Sequence, residues 1–145
     1  MHFLMSTYSN TVLVFEHLEI DLAKPITTAQ REGLASVGLS EPFGIVTAFN
    51  PHGTNKSAEE NAARMSDLES ELASSGLDFV RVDGCSADRS HCECSAAVKA
   101  SLDDVLGIAK RWEQLAIFWW DGKSFWLHDA MADTEPRKLP EVSDE

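Results

Sequence analysis

The sequence predicts one α+β domain, an α/β sandwich in which about three helices pack on a mixed β-sheet with a C-terminal β-hairpin. The chain has 145 residues, of which 43% are hydrophobic, and this suits one domain with one core. Short apolar or alternating segments, typical of strands, are interleaved with segments of helical periodicity. Finally, the dipeptide Asp121-Gly122 separates two aromatic segments, as in a hairpin.

Six segments carry a strand pattern, which is either alternation or a run of apolar and β-branched residues: 11–15, 18–22, 43–49, 79–82, 115–120 and 124–127. Segment 43–49 is almost wholly apolar, which favours a central strand covered on both faces. The last two segments flank Asp121-Gly122, which favours a type I′ turn. By contrast, residues 83–95 are polar and without a period, and they predict an irregular loop.

Helical periodicity marks three further segments, at about 27–37, 58–75 and 96–112. Thr27 with Gln30 matches a capping box at the start of the first helix, and Ser57 with Glu60 matches another at the start of the second. The predicted order of elements is therefore β-β-α-β-α-β-α-β-β. We expect the domain to occupy residues 1–132, and prolines and acids predict a flexible acidic tail over 133–145.

Charge and cysteine content limit the classes of function. With 24 acidic and 12 basic side chains the formal charge is −12, which disfavours nucleic-acid binding because the phosphate backbone would be repelled. No apolar run is long enough to cross a membrane. Cys85, Cys92 and Cys94 form an odd set, which we interpret as free thiols in a reducing compartment. These features predict a cytoplasmic protein.

The segment 47–61 carries the densest group of polar residues, where the central strand ends and the second helix begins. A helix N-terminus offers free N–H groups and a positive dipole end, to which Lys56 would add charge. We therefore predict a site for a small polar ligand, an anion or a nucleotide-like molecule, with these candidate residues: Asn50, Asn55, Ser57, Asn61, Glu93 and Gln114. The alternative is structural, because a turn at Asn50-Pro51 and a cap at Ser57 explain the same residues.

Several motifs of this chain resemble those of a known family. They are Phe43-Gly-Ile-Val-Thr-Ala-Phe-Asn-Pro51; then Asn55, Ser57, Glu60-Asn61, Arg64 and Leu68; then Gly84-Cys-Ser-Ala-Asp-Arg-Ser-His91 with Glu93 and Ser95; and Gln114 before Ala116-Ile117-Phe118. In this order they are similar to a bacterial domain of unknown function, family number 3293. The resemblance spans about Thr7 to Leu127 and implies no activity, cofactor or catalytic residue. The cysteine cluster departs from the family pattern.

Two further kinds of site, a metal site and a catalytic site, have candidate residues in the sequence. Cys85, His91, Cys92 and Cys94 are donors that zinc accepts, but Cys92-Glu-Cys94 is one residue shorter than the usual zinc knuckle, so we predict no metal and no cofactor. For an enzyme, Glu93 or His91 would be the acid or base. No nucleophile motif accompanies them, and the sequence leaves open whether the chain is an enzyme.

An interaction module is the alternative function. Trp112, Trp119, Trp120 and Trp126 cluster near the C-terminal hairpin. Alternation places Trp119 and Trp120 on opposite faces of the sheet, so one of them needs a helix, a ligand or a partner to cover it. An exposed tryptophan there would favour a protein partner or a homo-oligomer.

Overall fold

A computed structural model describes residues 8–141, which form three α-helices and an eight-stranded sheet. The helices are α1 (Thr28–Ser36), α2 (Ala58–Ser74) and α3 (Leu102–Arg111). The strands are β1 (Val12–Phe15), β2 (Leu18–Asp21), β3 (Phe43–Thr47), β4 (Phe79–Cys85), β5 (Cys92–Val98), β6 (Ala116–Trp120), β7 (Phe125–Asp129) and β8 (Arg137–Leu139). The predicted α+β class is confirmed.

The sheet has the order β2-β1-β4-β5-β3-β6-β7-β8, and every neighbouring pair is antiparallel. The predicted mixed sheet is therefore wrong. The reason is β5, which lies between β3 and β4: the α2 connection runs from β3 to β4, and a strand of opposite direction fills the space between them. Without β5, the same connection would have paired β3 and β4 in parallel.

β5 was not predicted, because most of its residues belong to the segment 83–95, which was predicted to be a loop. Glu93 and Ser95 of β5 line a cavity on one face of the sheet, while Cys94 and Ala96 pack toward the helices on the other. Polar residues facing a cavity break the apolar alternation by which a strand is recognised. The third helix consequently begins after β5, at Leu102, and not at residue 96 as predicted.

The C-terminal hairpin is present, but its turn differs from the predicted one. Trp120 pairs with Phe125, so the loop is four residues long, and the side chain of Asp121 accepts from the amides of Lys123 (2.7 Å) and Ser124 (2.8 Å). Arg137–Leu139 then forms β8 against β7, with Leu139 buried. This part of the predicted tail therefore belongs to the sheet, and residues 142–145 lie outside the described residues.

Of the two predicted capping boxes, the one at α1 is present, whereas at α2 only the N-cap bond of Ser57 forms and the Glu60 side chain accepts from the Ser57 hydroxyl (3.1 Å). The Thr27 hydroxyl accepts from Gln30 N (3.1 Å) and the Gln30 side chain accepts from Thr27 N (2.9 Å). At α2, the hydroxyl of Ser57 accepts from Glu60 N (3.1 Å). None of the described helices is both long and apolar enough to cross a membrane.

The sheet is curled, and its two faces bury different clusters. Ile20 of β2 and Leu139 of β8, at opposite edges, share one buried cluster with Phe43 of the central strand β3. Helices α2 and α3 cover the other face, where Leu68 and Val105 are fully buried. The cluster shared by both edges shows that the sheet curls into a half-barrel with a concave face.

Candidate functional site

A cavity of about 350 Å³ opens beside the concave face of the sheet. Its floor is apolar and comes from β1, β3, β6 and β7: Leu13, Ile45, Phe118 and Leu127. Its rim is polar and comes from the ends of β3 and β5 and from the loops that follow β3, β4 and α3. We call it the Glu93 cavity, after the single carboxylate among its lining residues. An apolar floor with a few polar groups at the rim is the usual composition of a small-molecule site.

The structure places four of the six predicted site residues on this cavity: Asn50, Asn55, Glu93 and Gln114. Asn61 lies behind Asn50, with 6% of its surface exposed. Ser57 is exposed at the start of α2, caps that helix, and does not line the cavity. The predicted residues therefore converge, although two of them do not line the cavity.

Asn50 is the best-fixed polar residue of the site. Its amide N donates to Asn61 Oδ1 (2.9 Å), and its Oδ1 accepts from Lys56 N (2.9 Å) and Asn61 Nδ2 (2.9 Å). Its own Nδ2 donates to Glu93 Oε2 (3.0 Å). These bonds hold the residue at φ 48°, in the left-handed region that asparagine tolerates better than most residues. Asn50 thereby orients the Glu93 carboxylate.

Glu93 is partly buried at the rim, with 26% of its side chain exposed. Its Oε2 also lies 3.3 Å from Nε2 of His91, whereas no described residue donates to Oε1. No lysine or arginine is among the described residues of the lining, so Glu93 is the fixed charge of the cavity. The arrangement suits a ligand that brings a donor or a positive charge to the free oxygen.

Gln114 supplies an acceptor from the loop after α3. It is 6% exposed, and its Nε2 donates to the backbone oxygens of Phe49 (3.0 Å) and Trp112 (3.0 Å). No described residue donates to its carbonyl oxygen. Because Gln114 lines the cavity, this carbonyl oxygen can accept a hydrogen bond from a ligand and is the second acceptor of the cavity.

Hydrogen bonds and ion pairs between the loop after β3 and the loop after α3 fix the rim of the cavity. His52 N donates to the backbone oxygen of Glu113 (2.7 Å), and the two side chains form an ion pair at 3.0 Å when His52 is protonated. Both residues have positive φ, 54° and 59°. Arg64 of α2 joins the same loops by donating to the backbone oxygens of Ala48 (2.6 Å) and Trp112 (2.8 Å). Arg64 belongs to the motifs quoted for the resemblance, but nothing in its local pattern predicted this role.

Tyr8 also lines the cavity, although no local pattern marks it as a candidate residue. Burial raises the pKa of its hydroxyl above the ordinary value, and the negative charge of Glu93 raises the pKa further. The ring packs edge-on against Phe118 of the floor, with centroids 6.4 Å apart. Tyr8 thus keeps a neutral phenol beside the carboxylate.

The cysteines differ from the prediction of free thiols. Antiparallel pairing of β4 with β5 sets Cys85 opposite Cys92, with Cα atoms 4.0 Å apart, and the two form a disulfide. Only Cys94 is free, and burial raises the pKa of its thiol. The error came from the missed strand, because a pair of cysteines that flanks the loop of a hairpin can be recognised only when both strands are recognised.

The loop that joins these strands forms part of the rim and is ordered by its own side chains. Asp88 Oδ1 accepts from Ser90 N (2.9 Å), from Ser90 Oγ (2.7 Å) and from Ser86 Oγ (2.8 Å). The hydrogen bonds from Ser90, followed by that from Ser86, lower the pKa of Asp88 to about 2. Ser86 and His91, at the ends of this loop, both line the cavity.

Residues 46–117 match the model of a family described as a protein of unknown function, DUF3293. The chain belongs to DUF3293 over this segment. The DUF3293 segment contains all six predicted site residues and most of the polar rim, whereas Tyr8 and Leu13 are contributed from outside it. No curated protein and no solved structure matches the chain.

Proposed function

We propose that this chain is a small-molecule-binding domain and that its ligand occupies the Glu93 cavity. The observation that carries the proposal is the pair of acceptors above an apolar floor: the free oxygen of Glu93 and the carbonyl oxygen of Gln114. Both are fixed before any ligand arrives, since their other polar atoms are already hydrogen-bonded. Such preorganisation lowers the entropic cost of binding.

The charge of the cavity favours one class of ligand over the expected anion or nucleotide. A bound phosphate would face Glu93 without a lysine or arginine to neutralise it. Nor does the α2 N-terminus point to a phosphate, since Ser57 already caps it and Glu59 and Glu60 stand in its first turn. The geometry instead supports a small neutral or cationic compound with an amine or hydroxyl donor and an apolar part of modest size.

The alternative, an interaction module built on the aromatic hairpin, has less support. Trp120 is buried, and the indole of Trp126 donates to Asp121 Oδ2 (2.8 Å). Met131 is the one large hydrophobic side chain among the described residues that is exposed. An aromatic surface patch, which a protein partner would need, is therefore missing from the part of the chain that the structure describes.

A thermal-shift panel tests the proposal. Primary amines, amino alcohols and nucleosides should raise the melting temperature in a concentration-dependent way, because they bind the folded state alone. Inorganic phosphate should not raise the melting temperature by binding in the Glu93 cavity. Glu93→Gln should abolish the shift while the protein stays folded, and Asn50→Ala should weaken it, because Asn50 holds the carboxylate in place.

Glu41→Gln is the matched control, since Glu41 is exposed and does not line the cavity. It removes the same charge and should leave the shift unchanged. An equal loss of the shift in Glu41→Gln and Glu93→Gln would contradict the proposal. So would a shift that Glu93→Gln leaves intact.

A further inference from the structure

A second cavity lies where the two edges of the curled sheet approach each other. It has a volume of about 220 Å³ and is lined by the end of β2, the start of the hairpin strand β7, the edge strand β8 and a residue of α1. Its apolar walls are Leu22, Phe125 and Leu139. It shares no lining residue with the Glu93 cavity. We call it the basic groove because of the charges described next.

Four cations line this groove: Lys24, Arg31, Lys123 and Lys138. No acidic side chain among the described residues lines it. The whole chain has twice as many acids as bases, 24 against 12, so a groove with four bases and no acid is opposite in sign to the rest of the molecule. Converging positive charge in a concave, partly apolar site raises the local potential and favours an anion.

Arg31 stands out among the arginines. The other five each form an ion pair with a glutamate: Arg64, Arg81, Arg89, Arg111 and Arg137. Arg31 makes no ion pair with any described residue, and no described residue accepts a hydrogen bond from its guanidinium group. Its planar donors remain available for a carboxylate or a phosphate, which guanidinium groups bind in a bidentate manner.

The lysines of the groove are also available. Lys123 and Lys138 form no ion pair with a described residue, and Lys24 has one long contact, 4.0 Å to Asp21. The acids next to the groove in sequence, Asp21 and Asp121, each interact with one of its lysines, Lys24 and Lys123, but their oxygens also accept hydrogen bonds. Asp21 accepts from Ala23 N (3.0 Å), and Asp121 accepts from two backbone amides and the Trp126 indole. Neither carboxylate lines the groove to neutralise it.

We propose that the basic groove binds a small organic anion, a carboxylate or phosphate head with a short apolar body. The head would lie among Arg31, Lys123 and Lys138, and the body would cover Phe125 and Leu139. Ile20 of β2 and Leu139 of β8 both line the groove and belong to the two open edges of the sheet, so a ligand here would also bridge β2 and β8. The proposal does not depend on the function of the Glu93 cavity.

Calorimetric titration of the whole chain with four probes tests it: hexanoate, hexyl phosphate, inorganic phosphate and hexylamine. Hexanoate or hexyl phosphate should bind saturably, and the tighter of the two identifies the head group. Inorganic phosphate should bind more weakly than hexyl phosphate, since it lacks the apolar body. Hexylamine should not compete with the anion. Affinity should fall as salt rises, because the attraction is electrostatic.

Replacement of the cations distinguishes specific binding in the groove from a general effect of positive charge on the affinity. The double variant Arg31→Gln with Lys138→Gln should weaken binding by about tenfold or more. Lys110→Gln is the control, since Lys110 is exposed on α3, has no ion pair with a described residue and does not line the groove. It should leave the affinity unchanged.

Two results would overturn the proposal. One is the absence of saturable binding by hexanoate and hexyl phosphate up to about 10 mM, which corresponds to an affinity too weak for a specific site. The other is an equal loss of affinity in the Lys110→Gln control. We expect each variant to be folded, because these side chains are exposed and contribute little to the core. Circular dichroism of each variant checks this.

Discussion

Asn50 decides the geometry of the Glu93 cavity at the level of single residues. It occupies the left-handed region, which costs other L-residues about 1 kcal/mol or more, and it directs its side-chain amide at the carboxylate. Only a short side chain with both a donor and an acceptor can bond Lys56, Asn61 and Glu93 at once. Backbone strain of this kind clusters at functional sites, and here it accompanies a fixed carboxylate.

Tyr8 offers a direct measurement of the charge at Glu93. It is the single tyrosine of the chain, so the phenolate absorbance of the folded protein reports one group. Since burial and then the charge of Glu93 raise the pKa of Tyr8, Glu93→Gln should move the midpoint of this titration to lower pH, toward the ordinary value of a tyrosine. The midpoint should remain above that value, because burial is the larger cause.

The control for this titration is Glu16→Gln, which removes an exposed carboxylate that does not line the cavity. It should leave the Tyr8 midpoint in place. Far-UV circular dichroism along the same pH series shows whether the protein stays folded through the titration. An unchanged midpoint in Glu93→Gln would mean that Tyr8 and Glu93 do not interact as the structure places them.

At the scale of elements, α2 begins at a cap that serves the helix and not the ligand. The hydroxyl of Ser57 accepts from Glu60 N, so Ser57→Ala should lower the free energy of unfolding by about 1 kcal/mol. Chemical denaturation measures the change. Ligand affinity in the Glu93 cavity should be retained, because Ser57 does not line it.

Ser66→Ala is the matched control on the same helix. Ser66 is exposed in the middle of α2, where alanine is the better helix former, so this variant should be neutral or slightly more stable. Equal losses in Ser57→Ala and Ser66→Ala would contradict the capping role.

The β4–β5 hairpin is closed by the bond between Cys85 and Cys92, which are seven residues apart in the chain. Alkylation of the unfolded protein without reductant should therefore modify one of its three cysteines, Cys94, and all three after reduction. Mass spectrometry counts the added groups. Modification of three cysteines without reductant would restore the original prediction of free thiols.

The same bond should stabilise the fold. Closing so short a loop in the unfolded chain is worth about 2 kcal/mol, so Cys85→Ala with Cys92→Ala should lower the free energy of unfolding by that amount. Cys94→Ala provides the comparison, since it removes a thiol without removing the link. Reductant should destabilise the wild type and leave the double variant unchanged.

The elements predicted correctly are those with a signal inside one short segment. A capping pair such as Thr27 with Gln30 acts within one helical turn. The apolar run of β3 predicts a strand covered on both faces without reference to any other segment. The elements that were missed depend on partners far along the chain. β8 has three residues and is held by β7, and β5 is recognisable only once β3 and β4 are known to flank it.

The same contrast holds for the site. Asn50 and Asn61 lie 11 residues apart on one strand-to-helix connection, so their meeting was predictable from local order. Glu93 and Gln114 were named as candidates, but their convergence depends on the sheet order, which the sequence did not determine. Tyr8 reaches the cavity from the start of the chain, and no local pattern points there.

At the scale of the whole molecule, curling of the sheet creates both cavities. The concave face closes around the Glu93 cavity, and the approach of β2 to β8 makes the basic groove. The two sites carry opposite charge, one acidic and one basic. β8 therefore matters to the molecule beyond its three residues, because it forms one edge of the sheet and one wall of the groove.

The last prediction concerns this edge strand, which the sequence assigned to a flexible tail. Leu139 is 4% exposed and packs in the cluster that unites both edges of the sheet, so Leu139→Ala should lower the free energy of unfolding by about 3 kcal/mol. Glu135→Ala, at an exposed position just before β8, should have little effect. A chain ending at Ala132 should melt well below one ending at Glu141, because it also loses the hydrogen bonds between β7 and β8. Equal melting temperatures for these two chains, with no loss in Leu139→Ala, would show that residues 133–141 are dispensable to the fold.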